Sequence, residues 1–167
     1  RGDPRPYRAR ALQLIRVWRL SKAAHAAFDG EGAKSYGARW HRAGIPVVYT
    51  ASSLALAALE VFMHIDTEEE ANDLVAVMAE IPASVRGTHV RLTQLPDDWR
   101  AYPSPQACID LGTRWMTAGT TAVLAVPSAV VPSELNYLLD PRHPAFRKIR
   151  VGRPQPFSFD PRLWKRA

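Results

Sequence analysis

Apolar residues crowd most densely between Ser52 and His64, in the run Ser-Ser-Leu-Ala-Leu-Ala-Ala-Leu-Glu-Val-Phe-Met-His. Wound as a helix, this run is apolar almost all the way round. Leu54, Ala58, Val61 and Ile65 form the expected deepest stripe, with Leu59 and Phe62 beside it. The opposite side holds Ser53, Glu60 and His64, flanked by Leu56, Ala57 and Met63. A helix with an ordinary solvent face carries several charged residues there, so this one is expected to be covered on both sides. Glu60 is therefore expected in a partly buried pocket. A buried carboxylate is costly unless paired, which leaves two readings: a structural Glu bonded to an Arg, or a functional one.

The rest of the chain alternates short strands with loops. Leu12–Leu20 interleaves branched, aromatic and polar residues and predicts a first strand. Between Ser21 and Gly44 the pattern dissolves into a loop punctuated by Gly30, Gly32, Gly37 and Gly44, with neither Walker nor Rossmann spacing. Ile45–Thr50 predicts a strand leading into a helix capped at Ser52. Thr67–Asn72 reads as an acidic turn. Leu74–Ile81 and His89–Leu92 read as two strands paired with each other, and Leu95–Pro105 as a Pro-rich loop. Gln106–Ala118 has helical spacing and stops at Gly119. Thr121–Val126 is continuously apolar and predicts a buried strand; Val131–Leu139 and Phe146–Val151 supply further strand-like pieces. Without regular βαβ alternation, this order predicts an α+β fold with a mixed or antiparallel central sheet and flanking helices.

Composition narrows the class. A chain of 167 residues, 47% hydrophobic and 23% charged, reads as one globular domain spanning 1–167, with residues 1–10 a flexible or added end. No run approaches the ~18–20 apolar residues of a membrane span. The single Cys108 excludes an internal disulfide and a cysteine-based zinc site, and fits a reducing cytoplasm. The net charge of +6 suits an anionic ligand or an acidic partner. It gathers at the two ends of the chain, without a basic helical stripe or an aromatic platform motif, which gives little support to direct nucleic-acid binding.

Taken singly, the candidate residues have bland alternatives. Arg39 lies in a glycine-punctuated loop where a guanidinium can grip phosphate or carboxylate, yet surface arginines are common. Tyr49 closes a strand and reads as a core or edge aromatic. His64, four residues after Glu60, reads as its helical hydrogen-bond partner. Ser128 follows a buried strand and a Pro, without the Gly-x-Ser-x-Gly elbow of a hydrolase. His25, His41, His89 and His143 show no metal-ligand spacing, so no metal is expected.

Together these residues form a pattern that resembles the RES domain family. It is carried by Gly30-Glu31-Gly32-Ala33, Gly37-Ala38-Arg39-Trp40, Gly44 to Ser52, Leu59-Glu60-Val61 and His64, then Val126-Pro127-Ser128-Ala129-Val130, Glu134 to Pro141 and His143-Pro144. The resemblance covers about Val17 to Val151. The chain departs from the pattern at Ala38, where a Gly is usual, and at Asp140, where an Asn is usual. Arg19 matches the first-strand Arg only loosely.

The resemblance implies a fold similar to that of ADP-ribosyltransferase toxins and a cytoplasmic bacterial toxin paired with an Xre-type antitoxin that occludes the active site. It implies catalytic roles for Arg39, Glu60 and Ser128. It further implies that Arg19, Tyr49, His64 and Asn136 bind substrate. The implied reaction consumes NAD⁺ as a substrate, not a cofactor, by hydrolysis or phosphorolysis of the nicotinamide–ribose bond, with inorganic phosphate as co-substrate in the second case. Glu60 would face the oxocarbenium-like ribose. Arg39 and Arg19 would hold the pyrophosphate. Tyr49 would stack on nicotinamide, Ser128 bond its amide or the ribose, and His64 orient Glu60. DNA would be met only through the antitoxin, and a homo-oligomer is expected within the complex. Two rivals stand beside this reading: mono-ADP-ribosylation of a protein, and a non-catalytic nucleic-acid- or protein-binding module.

Overall fold

The computed structural model describes residues 14–164. The expected flexible end at 1–10 lies outside the described residues. The first strand, β1 (Ile15–Lys22), is followed by a short helix α1 (Glu31–Tyr36), strand β2 (Val48–Ala51) and helix α2 (Leu54–Phe62). Then come β3 (Leu74–Ile81), β4 (Gly87–His89), helix α3 (Gln106–Ala118), β5 (Val123–Pro127) and β6 (Leu135–Leu139). Two short strands, β7 (Arg150–Val151) and β8 (Gln155–Pro156), end the series.

The strands form one curled sheet in the order β4-β5-β6-β2-β1-β3-β7, with β8 on the same edge of β3. All pairs are antiparallel except β4–β5. The expected α+β class with a mixed sheet is what forms. The expected pairing of the third and fourth strands does not: β3 pairs along its whole length with β1, and β4 runs parallel to β5. The eight-residue β3 finds an equally long partner in β1, whereas β4 has only three residues to offer.

Residues paired across antiparallel strands share a face. Tyr49 lies opposite Leu138, and Ala51 opposite both Trp18 and Asn136, so these side chains point to one side of the sheet. Both longer helices cover that side. Leu56 and Ala57 of α2 pack with Leu20, Ala51, Leu74 and Ala76, while Cys108, Trp115 and Met116 of α3 pack with Leu124, Val126 and Leu138. The other side buries Val17, Val48, Val77, Val123 and Leu139 beneath Phe28, Val85 and Ile149. Burying such apolar side chains contributes roughly 1.5–3 kcal/mol each before conformational entropy is subtracted.

α2 is shorter than expected and turned differently. Ser53, not Ser52, caps it: the Ser53 hydroxyl accepts from the Leu56 amide. The sheet side of α2 carries the buried Leu56 and Ala57 and, a turn further on, the half-buried Glu60, while Leu59 and Met63 are exposed. The helix thus keeps one exposed stripe, Ala55, Leu59 and Met63, instead of being covered all round. The chain's end steadies it: Phe157, Phe159 and Trp164 stack edge to face, and the last two also meet Phe62 at 5.2–5.3 Å between ring centres.

Candidate active site

β1 and β2 are neighbours in the sheet but pair only through Trp18 and Ala51. Past that point they part, and a cavity of about 120 Å³ opens between them, lined by Arg19, Tyr49, Ala57, Glu60, Val61 and Asn136 among others. It is smaller than the roughly 300–1,000 Å³ of sites that enclose a drug-sized ligand. It accommodates one ring or one sugar, and a longer ligand must extend out of it.

Glu60 reaches this cavity because it lies one helical turn beyond Leu56 and Ala57, which anchor α2 to the sheet. Its Oε1 accepts from the Ser128 hydroxyl at 2.7 Å and from Asn136 Nδ2 at 2.6 Å. Oε2 has no hydrogen-bond partner among the described residues. Ser128 stands just past β5, fully buried, and its oxygen also accepts from the amides of Val130 and Val131. With two donors directed at the oxygen, its own proton is left for Glu60. Bonding to the carboxylate likewise fixes the Asn136 amide, whose Oδ1 is buried and unpaired. The structural reading of Glu60, bonded to an Arg, does not hold: its partners are a hydroxyl and an amide.

Arg19 bridges the split in the sheet. Nη1 donates to the Tyr49 carbonyl at 3.4 Å and Nη2 to the His25 carbonyl at 3.2 Å, while Nε is buried without a partner among the described residues. Burial lowers its pKa, partly opposed by Asp29. A half-buried cation with an unused donor is suited to an anion.

Arg39 stands apart from the cavity wall. Its Nη1 donates to the carbonyls of Trp99 and, at 3.0 Å, of Ala101. It thus fastens the loop before β2 to the Pro-rich loop before α3, where Trp40 and Trp99 also meet. Its charge still acts on the buried Tyr49 hydroxyl.

The Tyr49 hydroxyl is 2.9 Å from His41 Nδ1, and His41 Nε2 is 3.0 Å from the Ala33 carbonyl. A carbonyl only accepts, so Nε2 carries the proton and Tyr49 donates to Nδ1. Burial pushes the Tyr49 pKa well up, offset in part by the Trp40 backbone and the Arg39 charge; burial also lowers that of His41.

His64 does not orient Glu60. α2 ends at Phe62, the His64 amide turns back to the Val61 carbonyl, and the side chain is exposed. The i+4 spacing has meaning only inside a continuing helix. Two residues that sequence reasoning missed support the site instead. His41 locks Tyr49, and its pairing with Ala33 and Tyr49 has no signature in spacing. Glu134 accepts from the hydroxyls of Ser52 and Ser53 at 3.4 and 3.3 Å, tying the Ser128–Asn136 segment to the start of α2. Its place between Ser128 and Asn136 was the available signal. Among the described residues no cluster of His, Cys, Asp or Glu could hold a metal, and no helix is long and apolar enough to cross a membrane.

Fold and site define an α+β protein with a split, mostly antiparallel sheet and a clamped carboxylate at the split. The RES domain family model matches residues 16–160, and the chain belongs to that family. It is similar to "Toxin Res" of Yersinia enterocolitica (38% identity; 81% of this chain, 90% of that protein) and to "Toxin Res" of Photorhabdus laumondii (39%; 91% and 97%). It is also similar to the "Prs ADP-ribosylating toxin" of a Sphingobium species (35%; 90% and 97%). A chain of the M. tuberculosis MbcT–MbcA toxin–antitoxin complex shares the fold at a TM-score of 0.72 and 17% identity, over 92% of this chain and 88% of that one.

Proposed function

We propose that this protein is the toxin of a toxin–antitoxin pair and that it consumes NAD⁺ by breaking the nicotinamide–ribose bond. The observation that carries the reading is the carboxylate of Glu60. One oxygen is pinned by Ser128 and Asn136, and the other, without a hydrogen-bond partner among the described residues, stands where a cavity for a single ring or sugar opens. As neutral nicotinamide leaves, positive charge spreads over C1′ and the ring oxygen of the ribose. A fixed carboxylate beside it stabilises that charge without reorganising. The oxygen of water or of inorganic phosphate then bonds C1′ and loses a proton, giving ADP-ribose or its 1-phosphate. Arg19, with its unused donor, and Arg39, from outside the cavity, hold the pyrophosphate. Tyr49 presents its ring to nicotinamide, its hydroxyl being engaged by His41. Nicotinamide in NAD⁺ is a cationic leaving group, so the step needs no metal.

A second reading is favoured by the relative named as a Prs ADP-ribosylating toxin: the same bond breaks, and a protein side chain is the acceptor. Incubating the pure protein with NAD⁺ labelled in its adenylate half, with and without phosphate and with lysate, separates the readings. Free ADP-ribose or its phosphate supports degradation, and label on protein supports transfer. Intact NAD⁺ in every arm sinks both.

The partner in this reading is an Xre-type antitoxin that covers the cleft. Co-expression with the gene beside the toxin's own should restore growth and block NAD⁺ loss; unrelieved toxicity counts against it.

A further inference from the structure

The cavity at Glu60 is too small for a dinucleotide, so on the reading above the base at the far end lies outside it. The surface beyond Arg39 has an unusual composition. Tyr36, at the end of α1, is 90% exposed, and Tyr102, in the loop before α3, is 88% exposed. A single tyrosine in water needs no explanation. Here, however, one closes α1 just before the loop that carries Arg39, and the other lies on the loop to which that guanidinium is fastened. Arg39 follows Tyr36 by three residues and donates to the carbonyl of Ala101, the residue before Tyr102. Trp40, next to Arg39, and Trp99 meet at 6.4 Å between ring centres and join the two segments a second time, while the two tyrosines are left in solvent. Planar aromatic rings beside a guanidinium are what a nucleobase stacks on, and such stacking tolerates any base because every base has a π face.

We infer that Tyr36, Tyr102 and the free edge of Arg39 form a base-stacking subsite for the adenine half of a dinucleotide whose nicotinamide half enters the cavity at Glu60. The inference rests on the NAD⁺ reading of that cavity. It assigns a direction to the bound substrate: nicotinamide ribose at Glu60, pyrophosphate between Arg19 and Arg39, adenine over the loops at the surface. It also gives Arg39 two roles compatible with its geometry, one nitrogen fastening the loops and the others facing the ligand.

The test compares NAD⁺ with nicotinamide mononucleotide, which offers the same scissile bond without adenine. In Tyr102→Ala and the double variant Tyr36→Ala/Tyr102→Ala, the ratio of kcat/KM for NAD⁺ to that for the mononucleotide should fall about tenfold or more. Tyr102→Phe should restore it, since stacking needs the ring and not the hydroxyl. Both positions are exposed, so the variants fold. A ratio that stays at the wild-type value overturns the subsite. If the wild type cleaves no NAD⁺, the catalytic reading fails, and calorimetric titration with ADP-ribose decides the subsite separately. Binding weakened about tenfold by Tyr102→Ala upholds it; absent or unaltered binding overturns it.

Discussion

Ser128 Oγ stands 2.7 Å from Glu60 Oε1 although 68 residues separate them in the chain. The hydroxyl lies between two backbone amides that donate to it and one carboxylate that accepts from it. The hydroxyl therefore fixes one oxygen of the carboxylate, and in the proposed reaction it is the other oxygen of Glu60 that faces the substrate.

Glu60→Gln separates charge from shape. The Gln carbonyl still accepts from Ser128 and Asn136, so the fold is retained and only the negative charge is lost. NAD⁺ consumption should fall by ~10²–10³-fold with little change in thermal midpoint. A variant as active as the wild type would remove Glu60 from the reaction.

Ser128→Ala should cost stability as well as activity. It strips Glu60 of one donor and leaves the amides of Val130 and Val131 without their acceptor in a buried site. The expected loss is about 1–3 kcal/mol in urea unfolding. Unfolding at the wild-type midpoint would mean that water replaces the hydroxyl.

Much of this arrangement is legible in the sequence, and its limits have physical causes. The unbroken apolar run at β5 and the helix closed by Gly119 form as expected, the glycine in a left-handed conformation with φ of 56°. The run around Glu60 does form a helix. Its orientation was not legible, because a segment apolar on nearly every side gives periodicity little to report. The sheet decided it, by taking Leu56 and Ala57. α1 was hidden by Gly32, since glycine weakens a helix that only its tertiary setting sustains. Both ends of α1 sit on glycines in positive φ, and a side chain at Gly30 would come within 2.5 Å of the Val47 amide. The pairing of β3 with β1 joins segments far apart in sequence, which no local pattern records. The Glu60, Ser128 and Asn136 cluster was reached through the resemblance, and Glu134 was signalled only by its place between Ser128 and Asn136, whereas the role of His41 is visible only in three dimensions.

Arg39 has a structural duty that its implied role in binding conceals. Arg39→Ala removes both bonds that hold the loop before α3 to the loop before β2. Amide hydrogen exchange should quicken at residues 95–105, and stability should fall by about 1–3 kcal/mol. An effect on NAD⁺ binding alone, with exchange unaltered, would show that the loops hold without it.

Gly112 sits inside α3 where a glycine is ordinarily costly. A Cβ at this position would lie 1.8 Å from the Trp40 carbonyl oxygen. The helix therefore passes directly against the backbone beside Arg39. Gly112→Ala should destabilise by about 1–3 kcal/mol or more despite its better helix propensity, because the obstacle is main chain and cannot swing aside. A raised thermal midpoint would contradict this packing.

The pair His41–Tyr49 makes stability respond to pH with a definite sign. His41 is buried and neutral, with its pKa lowered chiefly by burial. In the unfolded chain it titrates near its ordinary value of about 6.5. Below that pH the unfolded state takes up a proton that the folded state resists. The contribution of His41 is therefore complete above about 6.5 and is lost as pH falls toward the depressed folded value. Urea midpoints at pH 7.5 and 5.5 should differ more in the wild type than in His41→Gln, which has no proton to gain. Carboxylates titrating over the same interval affect both proteins alike, so the difference isolates the imidazole. Equal pH dependence in the two would mean that the imidazole takes up its proton alike in the folded and unfolded chain, so that burial does not depress its pKa.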